Sequence, residues 1–136
     1  FNKSYYSLYL IMKSKKVPLN KINNGYAVFL IFVPILGALF LEPLLISIFG
    51  ADTFWPVLIV YAIINVSTIY YDDQQLNKAK IKINNALIWG VILVPVYCYL
   101  RGSAMNKIYN LGGIKSQWVF LSWIGSFFVS ILLAPY

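Results

Sequence analysis

The stretch AVFLIFVPILGALFLEPLLISIFGA, residues 27–51, decides how this chain is read. It holds one ionisable residue, Glu42, among apolar and small ones. A helix of that length, rising about 1.5 Å per residue, reaches across the ~30 Å hydrocarbon core of a bilayer. Pro34 and Pro43 each remove a backbone donor inside it, Pro43 directly after Glu42. So long an apolar run in a chain of 136 residues points to lipid as the surrounding solvent.

Composition agrees. Hydrophobic residues make up 60% and charged residues 11%, with a mean hydropathy of +0.72. A soluble domain carries about 25% charged residues, so this chain has too few to solvate its surface. The net charge of +7 comes from lysines that flank apolar runs. There they read as topology signals and as contacts with anionic lipid head groups, not as a nucleic-acid face.

The chain has no histidine and a single cysteine, Cys98, which excludes His-based metal sites, Ser-His or Cys-His nucleophiles and an internal disulfide. The four acids, Glu42, Asp52, Asp72 and Asp73, are scattered, and Gly112-Gly113 lacks the spacing of a phosphate loop. No catalytic residue, metal or cofactor is expected, and the chain does not read as an enzyme. The first apolar run, 9–12, is too short for a signal peptide and precedes its lysines instead of following them.

Working outward from the opening stretch, the sequence predicts an all-α, polytopic integral membrane protein. Residues 1–25 form a basic, aromatic interfacial segment, and 26–136 a domain of four transmembrane helices in two hairpins. The spans are 26–49, 54–71, 86–100 and 117–134. Between the second and third, 72–85 reads as a polar loop or short surface helix; between the third and fourth, 101–115 reads as a loop. The third span is near the lower length limit for crossing, and Pro95 is expected to kink it. Trp55, Arg101 and Trp118 border spans and suit interfacial anchoring.

Orientation follows from basic residues. Four crossings with the N-terminus inside leave Lys3, Lys13, Lys15, Lys16, Lys21, Lys78, Lys80 and Lys82 inside, and Arg101, Lys107 and Lys115 outside. Both termini are then expected inside, in a membrane of the bacterial cytoplasmic type. If the third span failed to cross, the last helix would be reoriented.

Glu42 is the first functional candidate, because a carboxylate inside a membrane is expensive. It reads either as a pore or ion contact or as a helix break at the head groups. Asn65, with Tyr61 and Thr68 on the same side, is the second pore or ion candidate, the alternative being a structural bond between helices. Ser122, Gly125, Ser126 and Ser130 form a small-residue face on the last span, and Ala86 with Gly90 a smaller one, both suited to close helix packing. A homo-oligomer or a partner membrane subunit is expected along such faces. The leading expectation is an oligomeric pore-forming or ion-conducting domain, such as the membrane-acting part of a longer bacterial effector. The alternative is a non-catalytic accessory, anchor or immunity-type subunit of a larger membrane complex.

Overall fold

The computed structural model describes residues 17–50 and 52–134. Of the lead-in expected at 1–25, residues 1–16 lie outside the described residues. Among the described residues every regular element is helical and no strand occurs. The chain enters through a 3-10 turn, Leu19–Lys21, behind Pro18. There the Tyr109 hydroxyl donates to the Val17 carbonyl at 2.6 Å.

Helix α1, Gly25–Leu36, passes through a π-helical turn, Gly37–Leu41, into α2, Glu42–Phe49. The widened turn follows from Pro43. A proline ring clashes with the carbonyl four residues earlier, here that of Leu39, and offers it no N–H. A turn closed over five residues accommodates such a defect. The Glu42 N–H accordingly donates to the Gly37 carbonyl. The helix therefore continues through Glu42 and ends at Gly50, whose φ of 64° suits a residue without a side chain.

Helix α3 is Phe54–Lys78, so the stretch expected from residue 72 as a polar loop or short surface helix begins as two further turns of the preceding helix. The helix closes in a Schellman turn: Lys80 N–H bonds to Asn77 O and Ile81 N–H to Leu76 O, both at 2.9 Å. Ile81 and Leu76 are fully buried together, the apolar contact that accompanies this motif.

The expected third span is not one helix. Helix α4, Ala86–Ile92, stops at Leu93, which is extended (φ −151°, ψ 92°), and α5, Val94–Tyr109, begins beyond it. Pro95 is the cause, since it cannot donate backward and its ring excludes the carbonyl of Val91 from a continuous helix. At the head of α5 the same residue costs little. The expected loop 101–115 is thus mostly helix, ending at Asn110 in the left-handed region. A short helix α6, Gly113–Ser116, leads into α7, Trp118–Leu133.

Contacts fix the directions of these helices. Gly90 of α4 lies against Ile69 of α3, while Gly90, Ile92 and Val94 line one cleft with Asn65 and Tyr61. Helix α4 therefore runs antiparallel to α3, from its basic end toward its middle. Helix α5 returns, because Tyr97 and Arg101 meet Asp72 and Met105 packs with Leu76. The two form a V with Leu93 at its apex. Helix α7 starts beside α5, where Gln117 Nε2 donates to Ser103 Oγ at 3.3 Å, and then follows α1, with Val119 packed among Ala27 and Leu30.

One buried polar cluster joins three of these helices. Arg101 Nε donates to Asp72 Oδ2 at 2.7 Å and the Tyr97 hydroxyl to the same oxygen at 2.6 Å. Arg101 also donates through Nη2 to Asn24 Oδ1 at 2.7 Å, at the entrance to α1. Arg101 is 1% exposed and Asp72 0%. Arg101, expected as an interfacial anchor, is buried and paired with Asp72.

The segments Gly25–Phe49 and Phe54–Lys78 are each long and apolar enough to cross a membrane, with mean hydropathies of 2.4 and 1.5. Their apolar side chains do not all face a core, for Ile63 is 61% and Phe40 67% exposed. Arg101→Met would leave Asp72 buried without its cation, and should cost about 3–5 kcal/mol in unfolding measured by SDS titration in mixed micelles. The double change Asp72→Leu/Arg101→Met should lose less than the two single changes added together. A loss below about 1 kcal/mol for Arg101→Met would mean that water reaches the pair.

Candidate functional site

Glu42 sits one residue past the π-helical turn, at the edge of a cleft of about 640 Å³ between α2, α3 and the apex of the α4–α5 V. Its other polar lining residues are Thr53, Tyr61 and Asn65; the walls are apolar, with Val57, Ala62 and Ile92 among them. The Tyr61 hydroxyl donates to Glu42 Oε1 at 3.0 Å. Tyr61 can lie there because Gly37 has no side chain: a Cβ at Gly37 would overlap the Tyr61 ring, 2.6 Å from Cε1. Glu42, which follows the π turn, and Ile92 and Val94, which flank the break at Leu93, thus line one cleft.

Asn65 lines the cleft four residues after Tyr61, one helical turn along α3. Its Oδ1 is buried and accepts no hydrogen bond from the described residues. An unfilled buried acceptor costs about 1–3 kcal/mol. Thr68, expected on the same side, is not part of this cleft. Its hydroxyl donates to the Ile64 carbonyl at 2.7 Å, and it lines a separate hollow with Tyr26 and Ser67.

The packing candidates divide. Ser126 and Ser130 are buried, and Ser130 Oγ donates to Phe127 O at 2.7 Å. Ser122 is exposed, and open space surrounds the missing Cβ of Gly125. Ala86 and Gly90 are buried, and a Cβ on Gly90 would stand 2.8 Å from Ile69 Cδ1. Trp55 and Trp118 are exposed at the starts of α3 and α7, which lie at opposite ends of the bundle.

Tyr61, set by spacing on the side of Asn65, lines the cleft with it. Sequence reading passed over Asp72, Tyr97 and Asn24. One signal was available: Tyr97 and Arg101 are four residues apart, one face of a helix. What the sequence does not encode locally is which acid the arginine meets, 29 residues away. Among the described residues no group of three acids or cysteines could hold a metal ion.

Comparison of the chain with protein families, curated proteins and solved structures finds no match.

Gly37→Ala should drive the Tyr61 ring from its seat and break its bond to Glu42. Carboxyl ¹³C NMR of Glu42 should then report the same shift change as Tyr61→Phe. A Glu42 signal unchanged in Gly37→Ala would show that the ring keeps its place.

Proposed function

We propose that the chain is a membrane protein that acts as an oligomeric pore or ion-conducting assembly, with Glu42 and Asn65 on the cation path. The observation that carries this reading is the cleft itself: the one carboxylate of the long apolar helix lines it together with an unfilled acceptor on α3. Intramembrane acids mark ion pathways, and broken helices at membrane depth are tolerated where they line a cavity. The cleft lies on the side of a single chain, so a closed path requires several copies. The exposed Ser122 and Gly125 of α7 offer a face where copies could approach. No step in this reading calls for catalysis.

In the membrane, α1–α2 and α3 cross, the α4–α5 V enters and returns, and α7 crosses, giving three passages. Helix α4 has seven residues, about 10 Å of rise, too little to traverse the hydrocarbon. The described basic residues, Lys21, Lys78, Lys80, Lys82, Arg101, Lys107 and Lys115, then all fall on one side. Asp52, between α2 and α3, falls on the other. By the positive-inside tendency the N-terminal side is cytoplasmic and the C-terminus emerges outside, in a membrane of the bacterial inner type. This replaces the inside C-terminus expected from four spans. The lysine-bearing side faces anionic head groups.

A second reading, an accessory, anchor or immunity-type subunit, draws on the Tyr61–Glu42 bond, since that carboxylate already has a partner within its own chain. Planar-bilayer recordings separate the two. For a pore, Glu42→Gln should assemble normally and lose cation preference, because the carboxylate's field concentrates cations. Absence of current from assembled wild-type protein would favour the accessory subunit. The topology is checked by thiol labelling in a Cys98→Ser background. Cysteines placed at 80 and at 110 should label from the same side of the membrane, and labelling from opposite sides would restore four crossings.

A further inference from the structure

We infer that the Glu42 cleft binds a free amphipathic primary amine, its ammonium on Glu42 and its apolar body along the walls between α2, α3 and the Leu93 apex. The inference rests on the reading of this cleft as the functional site and names the class of ligand. Charge comes first. Among the described residues Glu42 is the only charged one lining the cleft, and the described basic residues lie at the other end of the bundle or at its lysine-bearing turns. The electrostatic demand is for one positive charge.

The lining argues against a bare inorganic ion. A hard cation stripped of water needs a shell of about six or more oxygens. Here the polar side chains are Glu42, Thr53, Tyr61 and Asn65, while the remaining walls, such as Ile46, Val57 and Val91, offer carbon. A cleft of about 640 Å³ falls within the range that holds organic ligands. An alkyl or aryl body would cover those walls.

Hydrogen bonding selects the head group. Tyr61 fills one of the roughly four acceptor sites of the Glu42 carboxylate. The carboxylate has no donor of its own, so its remaining lone pairs call for N–H or O–H groups. A primary ammonium supplies three N–H groups, whereas a quaternary one supplies none.

Depth excludes the lipid amine. Glu42 stands seven residues before the end of α2, about 10 Å inside that end. The ammonium of phosphatidylethanolamine could reach it only by drawing its phosphate into hydrocarbon, which is prohibitive. A free amine carries no phosphate.

The test is calorimetric titration of the protein in phosphatidylcholine nanodiscs with 4-phenylbutylamine, empty discs being subtracted. Saturable binding to wild type is expected. Its N-trimethyl counterpart and the Glu42→Gln protein should each bind about tenfold more weakly or worse, the loss of a charge-assisted hydrogen bond. Ala62→Trp, which fills the cleft and keeps the carboxylate, should abolish binding and decides the matter if Glu42→Gln does not assemble. Binding no greater than to empty discs overturns the inference, as does equal binding by assembled Ala62→Trp protein. Loss of amine binding when phosphatidylethanolamine is added to the discs would make the lipid the occupant and also overturn it. Amine binding by an assembly that passes no current would keep this inference and remove the pore; current without amine binding would do the reverse.

Discussion

The arrangement of helices depends on the buried pair of Asp72 and Arg101. Taking both charges out of water costs several kcal/mol each, which only close geometry and further hydrogen bonds offset. Tyr97 supplies one such bond to Asp72, and Asn24 accepts another from Arg101. The cluster thus ties the entrance of α1, the late turns of α3 and the returning helix α5 at one level. No apolar contact could do this with the same selectivity, because apolar attraction is non-directional. The pair also explains why α3 continues past Tyr71: once Asp72 is neutralised in the interior, the helix can carry it.

The cleft at Glu42 arises from two local failures of helix geometry. Pro43 widens the turn ahead of Glu42, and Pro95 ends the continuity between α4 and α5 at Leu93. Each proline acts on the carbonyl four residues earlier. Because α4 runs down α3 only as far as the level of Asn65, its end, Ile92, lines the same cleft as Glu42. Gly37 then admits Tyr61, which fixes one oxygen of Glu42. The polar chemistry is therefore placed by backbone irregularity, and sits where the apolar helices would otherwise close together.

The helical class, the two long apolar helices and the link between them were legible, because length and hydropathy act locally along the chain. Glu42 and Asn65 stood out for the same reason, as polar groups without neighbours to justify them. The V of α4 and α5 was not legible from hydropathy, since a helix that crosses and one that turns back are equally apolar. Its clues were the shortness of 86–100 and the placement of Pro95, which was read as a kink. The buried pairing of Arg101 was not legible, because a basic residue after an apolar run has the same local signature at an interface as in a buried pair. Only Tyr97, one turn before it, hinted at an interior partner, and the position of Asp72 is a matter of tertiary contact. Thr68 was assigned to the face of Asn65 by spacing alone, yet three residues of helix turned it toward Tyr26.

The turning back of α4–α5 also accounts for the charge distribution. Under the three passages proposed above, Arg101 lies on the same side as Asp72, in keeping with their ion pair at 2.7 Å. Once Arg101 is held at the level of Asp72, Lys107 follows on the same helix and Lys115 lies just ahead of α7, whose start is fastened to α5 through Gln117 and Ser103. A single buried contact thereby gathers the described basic residues at one end of the bundle and leaves the other end to Asp52 and the mouth of the cleft. A cation approaching Glu42 from that end meets no lysine or arginine among the described residues on the way.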